Sequence, residues 1–337
     1  MVNKESSLLP SPENVPAVDP VRLKADDLRR LCLQAGAGAA GFVNIGRPAL
    51  DAERSDILAA YPRTRSIISL AFPLNPENIR SGARQMSSDE VHYSSGELAT
   101  VAHLILRRLN GLGARGVIAP ADFPMDMGRF PGKIWYVSHK IMAVEGGLGH
   151  MGLNRLVIHP ELGNFIRLTS LLIDAELDEY DAPLEKTPCN RCGLCVAVCP
   201  VGAISATEPF NLMTCMTHAY RDNVVGFMDL LDSLLVSKDM EALRERFKDR
   251  EIASMWQSLM YKMNYRCGYC MAVCAAGRAG GFGYGGKNGL FKKEIFLPLK
   301  NRKEDVYVIA GSAAEQRALG NPNKQVRQVG VSVARKP

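Results

Sequence analysis

The sequence predicts a layered α/β domain followed by a smaller domain built around cysteines, and three observations carry that division. Strand-like and helix-like stretches alternate over residues 21–180, the pattern of a sheet covered by helices. Cys189, Cys192, Cys195 and Cys199, closed by Pro200, then form a C-x2-C-x2-C-x3-C-P run, and Cys267, Cys270 and Cys274 form a C-x2-C-x3-C half-run. A chain of 337 residues has room for both parts and a tail.

The elements follow in order. The stretch MVNKESSLLPSPENVPAVDP is rich in Pro and Ser and reads as a disordered N-terminus, residues 1–20. VRLKADDLRRLCLQAG places apolar residues at helical spacing, GFVNI reads as a strand, PALDAERSDILAAYP as a helix and RSIISLAFPL as a buried strand. ELATVAHLILRRLNGLG gives a long amphipathic helix ending on glycine, ARGVIAPA a strand, YVSHKIMAVEGG a helix and FIRLTSLLIDAEL the last long strand. This α/β domain covers 21–180. The cysteine domain covers 181–285, with a helical insert about 220–264 read from VVGFMDLLDSLLVSKDMEALRERFKDREIASMWQSLMYKM. GRAGGFGYGGKNG is too rich in glycine to pack as an element and leads to a basic tail, 286–337.

The cysteine spacing is that of ferredoxin-type [4Fe–4S] ligation. Three thiolates on one tight loop reach three corners of one cube, while the fourth faces away and ligates a different cluster. The half-run lacks a first cysteine, which Cys215 can supply. Crosswise pairing puts one cluster on Cys189, Cys192, Cys195 and Cys274, and a second on Cys199, Cys215, Cys267 and Cys270. Cys32, in LRRLCLQAGA, is left over as a small buried core residue.

Other uses of these cysteines fit less well. Zinc ribbons use two separated C-x2-C pairs and have no role for a central third cysteine followed by Cys-Pro. The N-terminus has neither an apolar core nor a twin arginine, so the chain reads as cytoplasmic, where thiols stay reduced. No apolar run is long enough for a bilayer. The formal charge of +6 lies wholly in residues 291–337, which hold ten Lys/Arg against four Asp/Glu. That segment reads as a solvated extension with one strand at VYVIA, in preference to an arm for RNA or an acidic partner.

Gly147, Gly149 and Gly152 in GGLGHMG match the G-x-G-x-x-G of dinucleotide sites. That fingerprint follows a strand, whereas SHKIMAVEG before it is helical in pattern, and no acidic residue sits suitably beyond. The glycines instead let the backbone approach a phosphate-bearing or macrocyclic ligand.

An α/β domain, a GLGxxG loop with an apolar strand after it, the four-cysteine run, an isolated cysteine and a last C-x2-C-x3-C together resemble the epoxyqueuosine reductases and, more distantly, the reductive dehalogenases, over roughly residues 25–280. The resemblance implies a nitroreductase-like layered α/β cobalamin-binding domain followed by a bicluster ferredoxin-like domain. It further implies an oxidoreductase in which an external donor of ferredoxin or flavodoxin type feeds two [4Fe–4S] clusters, and a cobalamin without its lower base reduces the substrate. Gly146, Gly147, Gly149 and Gly152, with Asn154, match the family's corrinoid-facing segment, although Leu153 stands where the family has lysine. His150, His159 and Asn164 lie between that loop and the long strand and are further candidates for the pocket.

The family's aspartate before the glycine loop has no counterpart in GKIWYVSHK, which offers Lys133, Tyr136 and His139. Tyr136, its pKa lowered by basic Lys133 or His139, is the candidate proton donor on chemical grounds. A small organic substrate is therefore expected ahead of tRNA or another nucleic acid. His92 and Tyr93 are capping or pocket candidates, His103 a satisfied core histidine, and Asp126 with Arg129 a loop that faces a ligand. Three other readings remain: a ferredoxin-type electron carrier or corrinoid-reducing activator, a flavin-dependent reductase on the same scaffold, and a tRNA epoxyqueuosine reductase.

Overall fold

The computed structural model describes residues 19–122, 125–129, 133–280 and 288–329. The stretch expected to be disordered falls outside them up to residue 18, as does the middle of the glycine-rich segment. The chain begins with β1 (Arg22–Leu23), α1 (Ala25–Gln34), β2 (Ala39–Asn44), α2 (Asp51–Ala60), β3 (Ser66–Pro73), α3 (Pro76–Arg80), α4 (Arg84–Gly111), β4 (Gly116–Ala119) and α5 (His139–Glu145). Next come β5 (His150–Met151), β6 (Val157–Ile158), β7 (Ile166–Ile173) and β8 (Glu176–Leu177). The cysteine-bearing part adds α6 (Leu194–Val198), α7 (Leu212–Ala219), α8 (Val224–Val236), α9 (Met240–Arg246), α10 (Asp249–Met260) and α11 (Tyr269–Ala272). It ends with α12 (Gly277–Gly280), α13 (Asn288–Phe291), a π-helical turn (Lys292–Phe296), α14 (Leu297–Lys300), β9 (Glu304–Ile309), α15 (Ala313–Leu319) and β10 (Lys324–Val329). Among the described residues no helix is long and apolar enough to cross a membrane.

By its contacts the chain forms two units, each drawn from separate stretches. The first takes residues up to Pro73, Ser95–His150 and Arg167–Lys186; the second takes Leu74–Ser94, Met151–Ile166 and the chain from Thr187. A single cut near residue 180 does not describe this interleaving, because the segments 74–94 and 151–166 contribute to the second unit's core.

In the first unit the sheet order is β2-β3-β7-β4, with β2 antiparallel to β3 and β4 antiparallel to β7. Strand side chains alternate between faces, and the sequence fills both. Phe42, Ile68, Leu171 and Ile173 pack with Leu28, Cys32, Ile105 and Leu109 of α1 and α4. Val43, Ile67 and Leu172 pack with Ile57 of α2 and Met142 of α5. Each such burial contributes about 1.5–3 kcal/mol before entropy is charged against it. Cys32 is fully buried, which pushes its thiol to about 12 and leaves it inert. α4 starts at Arg84, so His92 and Tyr93 lie inside it and not before it. His103 is exposed on this helix; Ala102, Ile105 and Leu109 hold the core positions assigned to its face.

The second unit has smaller cores. Leu74, Ile79, Phe165, Tyr269, Phe291 and Phe296 form one. Cys195, Cys199, Val201 and Ile204 form another with Val306, Val308, Ala314 and Ala318. The tail expected as a solvated extension is instead folded over residues 288–329: β9 and β10 pair in parallel, Val306 opposite Val326, with α15 between them. The apolar alternation of VYV fills the second core, and its partner strand KQVRQV was masked in the sequence by its charge. The insert is helical as α8, α9 and α10, held by Leu243, Phe247 and Met255 and by buried ion pairs from Arg221 to Asp229 (2.6 Å) and Glu251 (2.7 Å).

Candidate iron–sulfur centres and acid–base group

Short polar turns shape the first cysteine loop. Thr187 Oγ1 accepts from the Cys189 amide and Asn190 Oδ1 from the Cys192 amide, each at 3.2 Å. Gly193, at φ +76, turns the chain into α6, a conformation that costs glycine little. Cys195 then sits in the first turn, and Cys199 caps the helix in extended conformation before Pro200. Cys192 is exposed, Cys189 half-buried, and Cys195 and Cys199 buried.

Cys189, Cys192, Cys195 and Cys274 open on one cavity of about 590 Å³. Leu153, Ile158, Val273, Phe291 and Phe296 give it apolar walls, and Arg191 and Lys292 bring positive charge. Burial, and then the neighbouring thiols of Cys195, Cys189 and Cys192, push Cys274 up to about 11. The other four form a second neighbourhood. Cys267 is pushed well above its ordinary value by burial and by Cys270, Cys199 and Cys215, and Cys270 is raised by burial and by Cys215, Cys199 and Cys195. Among the described residues no three His, Cys, Asp or Glu side chains are arranged to hold a single metal ion. Four thiols around a cavity match the donor set of a cubane, whose charge would hold them as thiolates.

Polar contacts from distant segments brace these loops. Asn154 Nδ2 donates to the Cys270 carbonyl at 3.1 Å. Arg317 of α15 donates to the carbonyls of Cys199 (3.2 Å) and Val196 (2.8 Å). Tyr269, between two cysteines, donates to Glu304 at 2.5 Å, and Glu304 pairs with Lys324 at 2.7 Å. Arg317, Glu304 and Lys324 carry no local sequence signal; only the βαβ path of the tail brings them here.

The residues nominated for the glycine loop are occupied otherwise. A Cβ at Gly147, where φ is +70, would meet the Ala182 carbonyl oxygen at 2.7 Å; Gly146 passes directly over Gly41; a Cβ at Gly152 would meet Ile158 at 2.7 Å. Gly149 is buried in the loop after α5. His150 Nε2 donates to the Leu184 carbonyl at 2.6 Å. His159 Nδ1 accepts from the amides of Glu161 and Leu162, and burial holds its pKa below the ordinary value. Asn164 differs: it is buried, and neither atom of its amide has a partner. His92 bonds the Met263 carbonyl through Nε2 and stacks on Tyr265; Tyr93 is exposed.

Tyr136 and Lys133 meet in one polar group of the first unit, and carboxylates from other segments complete it. Tyr136 donates to Asp126 Oδ2 at 3.0 Å, under the Arg129 guanidinium 4.8 Å from its ring centroid. Lys133 pairs with Asp56 at 2.6 Å and Glu53 at 3.0 Å, and Arg129 with Asp56 at 2.7 Å. The hydrogen bond to Asp126 raises the Tyr136 pKa, opposite to the expected lowering by a basic neighbour. Burial opposes the Lys133 charge, but its bonds to Asp56 and Glu53 prevail and raise it, while the Lys133 bond lowers Asp56. His139 stands apart: Nε2 donates to the Pro120 carbonyl and Nδ1 faces Ser170 Oγ, each at 2.9 Å, and burial lowers its pKa.

Comparison with known proteins agrees with the first of these sites. A family described as a 4Fe–4S binding domain matches residues 185–205. An epoxyqueuosine reductase of Pseudomonas aeruginosa is 27% identical over 169 residues, covering 49% of this chain and 45% of that one. That of Salmonella typhimurium is 39% identical over 71 residues, 21% of this chain and 17% of that one. Over part of its length, the chain is similar in sequence to epoxyqueuosine reductases. Its matches span less than half of those relatives' length. Among solved structures, the epoxyqueuosine reductase from Streptococcus thermophilus aligns with TM-score 0.44 at 16% identity, covering 72% of this chain and 63% of that one. A reductive dehalogenase described in terms of B12-dependent dehalogenation aligns with TM-score 0.45 at 15% identity, covering 75% and 37%.

Proposed function

We propose that this chain is an iron–sulfur reductase with two [4Fe–4S] clusters, one on Cys189, Cys192, Cys195 and Cys274 and the other on Cys199, Cys215, Cys267 and Cys270. The observation that carries the reading is the sorting of eight cysteines, drawn from three separate stretches, into two neighbourhoods of four. The clusters would supply one-electron transfer. The chain's own part is to keep water from the first cluster with Leu153, Ile158 and Phe296, to offset its charge with Lys292 and Arg191, and to fix the second through Asn154 and Arg317.

A cobalamin is the acceptor that the sequence relationship implies. The glycines and histidines assigned to it are engaged in chain packing, and of the named residues Asn164 has the buried polar atoms that a ligand could satisfy. These residues do not build a corrinoid cradle by themselves, and the chemistry at the substrate is left to the acid–base group. There Tyr136, kept protonated by Asp126, is the group able to hand a proton to a reduced substrate.

A small organic molecule is the substrate class first favoured by the sequence. The tRNA reading gains from two observations: the named relatives are epoxyqueuosine reductases, and although GKIWYVSHK lacks a carboxylate of its own, Asp126 and Asp56 bring carboxylates to Tyr136 and Lys133. The decisive experiment is anaerobic reconstitution with iron and sulfide counts, followed by turnover on epoxyqueuosine-containing tRNA and on small epoxides. About eight iron per chain is expected; zinc without sulfide defeats the proposal. A flavin absorbance in the purified protein would move the acceptor assignment from cobalamin to flavin.

A further inference from the structure

Every exposed position of α8 is apolar: Phe227, Met228, Leu231, Leu234, Leu235 and Val236, with Leu235 84% and Val236 79% exposed. Neighbouring α10 adds Trp256, Leu259 and Met260, and Tyr261 follows, its ring edge-on to Trp256. The inner faces are fixed. Gly226 lies against Met255, Leu230 and Ile252 pack on Phe247, and Arg221 ties Asp229 of α8 to Glu251 of α10. Two clamped helices therefore present apolar surface outward with little freedom to turn it in.

A soluble monomer seldom shows a contiguous apolar patch above about 300–600 Å². These ten side chains, each 37–84% exposed and the aromatic ones about 150–250 Å² in full, amount to on the order of 1,000 Å². That exceeds the roughly 800 Å² a standard interface takes from each partner.

We infer that the outer face of α8 and α10 is a two-fold interface with a second copy of this chain, two helix pairs closing into a four-helix bundle. Self-pairing suits a face without charge, because a two-fold axis lays one patch against itself, and a uniformly apolar patch is complementary to its own copy. A bilayer is a poorer fit: α8 has no Lys or Arg, and its acidic residues are Asp229, buried in ion pairs, and half-buried Asp232. Surface-lying helices carry basic residues on the polar face.

The test is sedimentation of the reconstituted protein over a concentration series, with Leu231→Glu/Leu235→Glu and, separately, Trp256→Glu. A species of twice the chain mass is expected, falling to once the chain mass in the double variant with helix content and iron unchanged. Concentration-dependent protection of α8 amides from hydrogen exchange in the unaltered protein gives the same reading without a variant. Monomer at every concentration overturns the inference. So does a dimer that survives both variants, exchange at α8 that ignores concentration, or a monomer that floats with anionic vesicles. None of these outcomes depends on the reductase reading, whose failure would appear in the iron and sulfide counts instead.

Discussion

The two units are held together by different means. In the first, the alternating side chains of β2, β3 and β7 fill an apolar core on each face of one sheet, and ion pairs such as Arg29–Asp181 lie at its edges, partly exposed. In the second the cores are small, and Arg221, Asp222, Asp229, Glu251, Glu304 and Lys324 have buried side chains beside thiols that burial and mutual repulsion keep from ionising. Apolar cores tolerate partial loss. Buried charge is stable only while each partner is in place, and crowded thiolates only while metal binds them.

That contrast predicts its own largest test. Removing iron and sulfide, or changing Cys270→Ser, should release amide protection across β9 and α10 while β3 and β7 keep theirs. Hydrogen exchange with and without reconstitution measures this. Equal loss in both units would mean that the first leans on the clusters as much as the second.

The next effect belongs to the ion pairs. Arg221 serves Asp229 and Glu251 at once and lies over the rings of Phe247 and Tyr307. Arg221→Met keeps its bulk but takes the ion-pair partner from buried Glu251 and leaves buried Asp229 to Arg246, a loss of about 3–5 kcal/mol. Denaturant unfolding should show it in the second unit alone; an unchanged midpoint would mean that water already reaches these carboxylates.

What was legible in the sequence follows the same divide. Unit one's main elements were readable because each carries a local pattern: VRLKADDLRRLC runs at helical spacing into α1, and SIISLAF is a short, nearly continuous apolar run that becomes buried β3. The cysteine run of residues 189–199 was readable because cluster ligation constrains spacing. The tail was not, since Lys324, Arg327 and Glu304 look solvated in one dimension, yet Lys324 and Glu304 are buried against each other. The acid–base group was half-readable: Tyr136 and Lys133 stood out, but Asp56 and Glu53 come from α2, and no local pattern ties them to a loop so far along the chain.

His218 gives a smaller, pH-dependent effect. It is buried against Tyr307, its Nδ1 accepts from the Tyr307 amide at 3.4 Å, and Nε2 has no partner. Burial first, then Arg266 and other cations, lower its pKa to about 3. The unfolded chain thus binds a proton that the folded chain refuses. The neutral ring's contribution is complete above the ordinary value of 6.5 and is lost as pH falls from there towards 3. Between about pH 7 and pH 5 the cost is about 2 kcal/mol. His218→Gln keeps an acceptor but cannot titrate, so its unfolding midpoint should fall less over that interval. Parallel curves for the two proteins would remove His218 from the account.

The smallest effect probes the first cavity. Lys292 lines it together with the four thiols and is otherwise exposed. A cation there favours whichever cluster state carries more negative charge, which is the reduced one, so it raises the reduction potential. Solvent weakens the interaction, and Lys292→Ala should lower the potential by tens of millivolts at most, on the order of one kcal/mol or less. Lys292→Arg should restore it. The proposed second cluster is the internal control: Cys267 and Cys270, assigned to it, lie outside the lining of this cavity, and its potential should not move. A redox titration followed by electron paramagnetic resonance separates the two signals. A shift in both, or in the second alone, would mean that Lys292 acts through the packing of Phe291 and Phe296 and not through its charge.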